Sequence, residues 1–253
     1  MTEETPDQRF ERLSRDRIIR PLPKRFYKTV SVTDELCITL DGRIVKTPMK
    51  VALKLKTRAM AAAVAAEWEA QETHINPSAM PLTKLANTAI DRATLHRAEI
   101  IAEMVAFAGS DLVCYRADAP MTLAARQKEH WDPILNWINA LLDANFAAHI
   151  GIMHKLQSAQ SLTSFETHVS NYDPFALAAT HNLATLTGSA FLAAMLEQSA
   201  ISAEMGWLAA HVDEDYQIEN WGEDHEAKSR RAGRHKEFHC CVKFLKLAML
   251  SVN

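Results

Sequence analysis

The stretch "LCITLDGRIVKTP", residues 36–48, holds two short apolar, β-branched runs on either side of Asp41-Gly42. An aspartate-glycine pair tolerates the positive φ angles of a two-residue hairpin turn, so the stretch predicts two antiparallel strands. On either side, "FYKTVSV" (26–32) and "VALKL" (51–55) have the same short, roughly alternating character. At least three strands are therefore expected in one antiparallel sheet. Thr57 can cap the start of "RAMAAAVAAEWEAQ" (58–71), where alanines favour helix and Met60, Val64 and Trp68 share one stripe. That helix is expected to cover the sheet.

The proline-bearing "INPSAMP" (75–81) closes this part of the chain. Beyond it the apolar residues recur with helical period over 83–92, 94–108, 121–142, 161–170, 174–198, 202–221 and 224–250. One short apolar piece, "FAAHIGIMH" (146–154), is compatible with an extended conformation instead. The fold class that follows is α+β. Residues 21–81 are expected to form a β-rich N-terminal domain, an antiparallel sheet plus its covering helix, and residues 82–253 a larger all-helical bundle. Residues 1–20, charged and aperiodic ahead of Pro21 and Pro23, are expected to form a flexible tail.

Composition narrows the function classes. The 253 residues are 48% apolar, enough for a sizeable core, and carry a formal net charge of -3, which argues against a nucleic-acid partner. Four cysteines, Cys37, Cys114, Cys240 and Cys241, are separated except for one adjacent pair, the pattern of a reducing compartment. The first thirty residues mix five acids with eight bases and lack an apolar run of signal-peptide length, so a cytoplasmic location is expected. The longest apolar tract, 175–196, is interrupted by His181, Asn182 and several threonines, so membrane insertion is not expected.

Catalytic signatures are sparse. The seven glycines are too scattered for a G-x-G loop, and there is no G-x-S-x-G. "HEAKS" from His225 has Ser229 where a second zinc-binding imidazole would stand. His235, His239 and Cys240 could offer zinc ligands but lack an evident fourth, so a solvated helix face is the favoured reading. Asp91, Asp111 and Asp132 read best as caps of helices or turns. No cofactor, metal or small-molecule substrate is expected.

The unusual segment is "DEDYQIENWGEDHEAKSRR", residues 213–231: its first fourteen positions hold seven carboxylates and no lysine or arginine. On a continuous helix over 201–221, Ile201, Met205, Leu208, Val212 and Tyr216 form one arc, predicted to be buried. Trp207, His211, Glu214, Ile218 and Trp221 form a mixed stripe beside it, predicted to face a partner. Gly222 can end the helix, and Glu223, Asp224 and Glu226 then sit in the first turn of the next, where the helix dipole favours anions. An equally direct reading makes the acids a solvated face, with Glu226 pairing Arg230 one turn on. Two further readings are a metal-dependent hydrolase built on Asp213, Asp215, Glu219 and nearby histidines, and a scaffold for some other basic partner.

From Arg25 to the 230s the chain resembles the ATP synthase assembly-factor family that chaperones the alpha subunit of the catalytic head, called assembly factor 2 in mitochondria. The resemblance rests on "RFYKTV", "LDGRIVKTP", "AAEWEAQ", "MPLTKLANTAID", "DLVCYRA", "RQKEHWDPIL", "GIMH", "LTGS" and the 213–231 segment, in that order. It implies a bacterial relative, a non-enzymatic chaperone that holds the unassembled alpha subunit until the beta subunit replaces it. It also implies partner contacts at Glu214, Trp221, Glu223, Asp224 and Glu226, with Arg230 and Arg231 as rim charges.

Overall fold

The computed structural model describes residues 21–250; the expected tail, 1–20, lies outside them. Strands β1 (Val30–Val32), β2 (Ile38–Leu40) and β3 (Arg43–Ile44) form an antiparallel sheet in that order. Val30 stands opposite Leu40, and Thr39 opposite Ile44. The hairpin turns where expected: Asp41 and Gly42 take φ 47° and 77°, the left-handed values for which the pair is suited. Asp41 does a second job, its carboxylate accepting hydrogen bonds from the Thr29 backbone N–H and hydroxyl at 2.9 and 3.0 Å. The piece 51–55 is not a regular strand, because it divides its pairing. Leu53 accepts from the Ile38 N–H and donates to the Val45 carbonyl, while Leu55 donates to the Leu36 carbonyl.

Thr57 caps α1 (Arg58–Glu69) through the Met60 N–H, and Met60 and Val64 are fully buried. The helix packs on β1 and β2, and the Tyr27 hydroxyl donates to the Trp68 carbonyl at 2.6 Å. From α1 the Glu67 carboxylate reaches across to the next helix, α2 (Pro81–Thr88), accepting from the N–H groups of Leu82 and Thr83 at 2.8 Å each. It thereby satisfies donors that a helix N-terminus leaves open. Nothing in the spacing announces this cap, supplied from fifteen residues upstream.

A π turn (Ala89–Ala93) follows, then α3 (Arg97–Gly109), β4 (Tyr115–Arg116), α4 (Met121–Leu142), β5 (His149–Ile150) and α5 (Ala159–Val169). Strand β5 lies parallel to β4, Tyr115 opposite His149, so the ambiguous piece at 146–154 is partly extended. The apolar run expected as one helix over 174–198 is two: α6 (Pro174–Thr187) ends at Gly188, φ 71°, and α7 (Ala190–Glu197) begins under a Ser189 cap. A glycine in the left-handed region followed by a serine N-cap is a stop and a start in succession.

Helices α8 (Ala203–Ala210), α9 (Val212–Trp221) and α10 (His225–Met249) complete the chain. The buried apolar side chains form one cluster from Tyr27 to Ala248. Of the three expected caps, Asp91 serves a turn distant in sequence and Asp132 caps neither helix nor turn. Asp91 sits in the π turn and holds the 47–50 turn, accepting from the Thr47 hydroxyl at 2.6 Å and the Met49 N–H at 3.1 Å. Asp132 lies inside α4 and ion-pairs with Arg116 at 2.8 Å. Asp111 is a cap, and a double one. Its carboxylate accepts from Val113 N–H at 3.2 Å, in the short turn 112–114, and from Phe191 N–H at 3.0 Å, at the start of α7. All four cysteines are free thiols, Cys37, Cys114 and Cys241 buried and Cys240 partly so. Among the described residues no helix is long and apolar enough to cross a membrane.

Candidate functional site

Residues 203–226 form a corner of helices α8, α9 and the start of α10, and its geometry differs from the expected continuous helix. At His211 the backbone turns to φ -120°, ending α8 and restarting as α9. The cause is packing. The His211 ring stacks on Trp207 with centroids 3.6 Å apart, and its Nδ1–H donates to the Trp207 carbonyl at 2.8 Å. Trp207 also meets His235 and Phe238 edge-on. Burial holds the His211 imidazole below its ordinary pKa, so it stays neutral beneath the acidic helix.

Within α8, up to the break, the predicted faces are exchanged. Trp207 and His211, expected on a partner-facing stripe, are buried, whereas Met205 and Leu208, expected in the core, are 48% and 43% exposed. Val212 is buried as expected.

Helix α9 has no side-chain N-cap; Asp213, Glu214 and Asp215 occupy its first turn, where the dipole favours them. Each also has a partner on another element. Asp213 accepts from Gln127 Nε2 at 2.7 Å, and Glu214 takes Arg234 Nη2 on both oxygens at 2.9 Å. Asp215 pairs with Arg231, and Glu219 binds Arg126 bidentately at 2.7 and 2.8 Å. Ion pairs open to water are individually weak, but this set ties α9 to α4 on one side and α10 on the other, and bidentate pairs fix orientation. Arg126, Gln127 and Arg234 carry no local signal in the sequence, since their partners lie 93, 86 and 20 positions away.

This network decides the fate of the predicted residues. Gly222, φ 84°, ends α9. Asp224 caps α10 by accepting from the N–H groups of Glu226 and Ala227 at 2.8 and 2.9 Å, and these bonds hold its carboxyl below the usual range. Glu214 is braced to Arg234. Arg231, expected as a rim charge, is instead largely buried against Asp215, with its guanidinium 5.9 Å over the Trp207 ring. Glu226 pairs with Arg230 one turn on, both in solvent, whereas Glu223, 3.8 Å from Lys228, has a side chain only 21% exposed. Trp221, 76% exposed, projects from the end of α9, and the Tyr216 ring is set edge-on to it at 6.5 Å.

The carboxylates on which the hydrolase reading drew are bonded to other side chains. Asp213, Asp215 and Glu219 point to Gln127, Arg231 and Arg126 respectively, and among the described residues no three His, Cys, Asp or Glu side chains converge as metal ligands. His235 and His239 approach one another at 3.0 Å between Nε2 atoms with no third ligand in reach.

The Asp224 cap can be removed on its own. Asp224→Ala should leave the first-turn amides of Glu226 and Ala227 without acceptors and speed their hydrogen exchange, with the rest of α10 unchanged. Unchanged exchange at those two amides would show that the cap is dispensable.

The family model described as "ATP12 chaperone protein" matches residues 24–139. Among solved structures, Atp12 from Paracoccus denitrificans is 35% identical with a TM-score of 0.84, covering 89% of this chain and 98% of that one. A point mutant of the same P. denitrificans protein gives 35% and 0.85 over the same shares. An Agrobacterium tumefaciens protein is 39% identical with a TM-score of 0.84, over 97% of this chain and 92% of that one. The chain belongs to the ATP12 chaperone family, the family of chaperones for ATP synthase assembly.

Proposed function

We propose that this protein binds the unassembled alpha subunit of the ATP synthase catalytic head and shields its interface until the beta subunit replaces it, without covalent chemistry of its own. A subunit of a ring made alone exposes apolar surface that would otherwise self-associate, and covering it suppresses aggregation. The observation that carries the reading is Trp221, a large ring left in water at a braced corner of a chaperone-family chain. Tryptophan is the residue type most often found as an interface anchor. Around it Glu226 and Arg230 are open to a partner and Glu223 is partly so, while Glu214, Asp224 and Arg231 hold the corner in shape. Release follows when the incoming subunit buries more surface than the chaperone does, which requires a moderate, mixed interface.

The test is suppression of aggregation of isolated alpha subunit, followed by light scattering, together with co-purification of the pair. Near-stoichiometric protein should suppress it without ATP; no suppression at excess overturns the proposal. Trp221→Ala should weaken capture by about tenfold or more with unfolding unchanged. Charge reversal is best made as Glu223→Lys, because reversing Asp224 would also remove a helix cap. The Lys variant should bind more slowly, and its binding should lose much of its salt dependence.

A further inference from the structure

A second apolar surface lies outside that corner, in the loop 147–157. Ile150, Ile152, Met153 and Leu156 are 71%, 95%, 77% and 87% exposed. The loop is nevertheless built to hold its shape. At its neck the Gln157 side-chain amide donates to the Ala147 carbonyl at 2.9 Å and accepts from the Ala147 N–H at 3.0 Å. One residue back, the Asn139 amide clamps Phe146 in the same two-bond manner, at 2.9 and 2.7 Å. On the far side Gly151, φ 89°, donates to the Arg116 carbonyl at 2.8 Å, and the Tyr115 hydroxyl meets His154 Nδ1 at 3.0 Å.

A chain segment tethered at both ends and along one edge has already lost much of its conformational freedom, yet its largest apolar side chains remain in water. Exposed apolar area on that scale, on the order of a few hundred Å², marks a docking surface, and fixing it in advance lowers the entropy cost of binding. It is smaller than the roughly 800 Å² per partner of a standard interface. It therefore suits one anchor of a two-part contact. The chain that leaves the loop's partner strand supplies the link: five residues after Arg116 stands the exposed Met121, and the neighbouring Thr122 hydroxyl is bonded to Tyr216 at 2.8 Å, beside Trp221.

We infer that loop 147–157 is a second, preformed anchor for the polypeptide client, taking an apolar patch of the unassembled subunit while the Trp221 corner takes a flanking, base-bearing part. This inference rests on the function proposed above. Charge selects a polypeptide over a membrane. A loop that inserts into anionic lipid is ringed by lysine and arginine. Here Lys155 is the one such residue in the loop, and Asp118 follows the partner strand. Methionine adds a flexible, polarisable contact suited to an irregular partner surface.

The experiment compares the full chain with the double variant Ile152→Ser/Met153→Ser. Both positions are in solvent, so thermal unfolding should be unchanged, and that is measured first. Aggregation of isolated alpha subunit is then followed against chaperone concentration, in parallel with flotation on phosphatidylcholine/phosphatidylglycerol vesicles. The expected result is that the double variant needs about tenfold more protein for the same suppression, and that neither form binds vesicles. Equal suppression by both forms overturns the inference and leaves the proposed function standing. Failure of the unaltered protein to suppress aggregation overturns both. Vesicle binding that the double variant loses, with client suppression intact, overturns it in favour of a lipid contact.

Discussion

Trp131→Ala should lower the unfolding free energy by about 3–5 kcal/mol, enough to shift the melting temperature of a chain this size by roughly 6–20 °C. The ring is fully buried in α4, and its Nε1–H donates to the Ala209 carbonyl of α8 at 2.7 Å. Alanine would leave a large cavity and also orphan that carbonyl. Arg116, whose guanidinium carbon lies 5.4 Å over the same ring, would lose its apolar backing while remaining paired with Asp132. The functional consequence follows from where the ring is anchored. Ala209 is two residues before the His211 break, so α8 and the acidic corner should loosen together, and client capture should fall with stability. Trp131→Phe separates the terms: it keeps most of the packing and removes the indole donor, and should cost about 1–3 kcal/mol, the penalty of one unsatisfied buried acceptor. A Trp131→Ala protein that melts within a degree or two of the parent would refute this account of how α8 is held.

Asp111 should give the protein an uncommon pH dependence. Its carboxyl is fully buried between the 112–114 turn and the start of α7, and burial pushes its pKa up to about 7 despite hydrogen bonds from Phe191, Ser189, Val113 and Ala190. In the unfolded chain the same group titrates near pH ~4. Between those values the folded state binds the proton more tightly. The contribution of Asp111 to stability is therefore fully present below about pH 4 and is lost as pH rises through about 7, a change on the order of a few kcal/mol at most. Measured by denaturant unfolding from pH 4 to 8, the parent should show this decline superposed on its other titrations, and Asp111→Asn should lack it. The Asn variant should also be less stable at low pH, since its amide nitrogen faces backbone donors where an oxygen stood. Parallel curves for parent and variant would mean that the four donors outweigh burial and keep the carboxylate ionised.

Local chemistry made much of the scaffold legible. Asp41-Gly42 requires a turn whatever surrounds it, Thr57 and Asp224 offer oxygens to open helix N–H groups, and Gly222 can adopt a φ that stops a helix. The limits of α4, Met121–Leu142, coincide with its apolar period. The break between α6 and α7 was also legible in Gly188-Ser189, but uninterrupted apolar period over 174–198 outweighed it. The site was less legible for a different reason. An acidic run shows where charge is dense, not which carboxylates are already engaged.

The sequence by itself determined the α+β class, the hairpin, the Thr57 cap and the end of α9 at Gly222, because each depends on conformational preferences within a few residues. Only the tertiary structure decided the division of labour within 203–231. No proline or glycine marks His211 as a break; the helix gives way there because Trp207 and His211 stack into the space beside Phe238 and His235, and burying that pair outweighs the continuity of the backbone ladder. That choice rotates α9 and hands Glu214 and Asp215 to arginines of α10 and Glu219 to Arg126 of α4. Long-range packing thus selects which charges remain available, and it leaves Trp221 with Glu226 and Arg230 facing solvent.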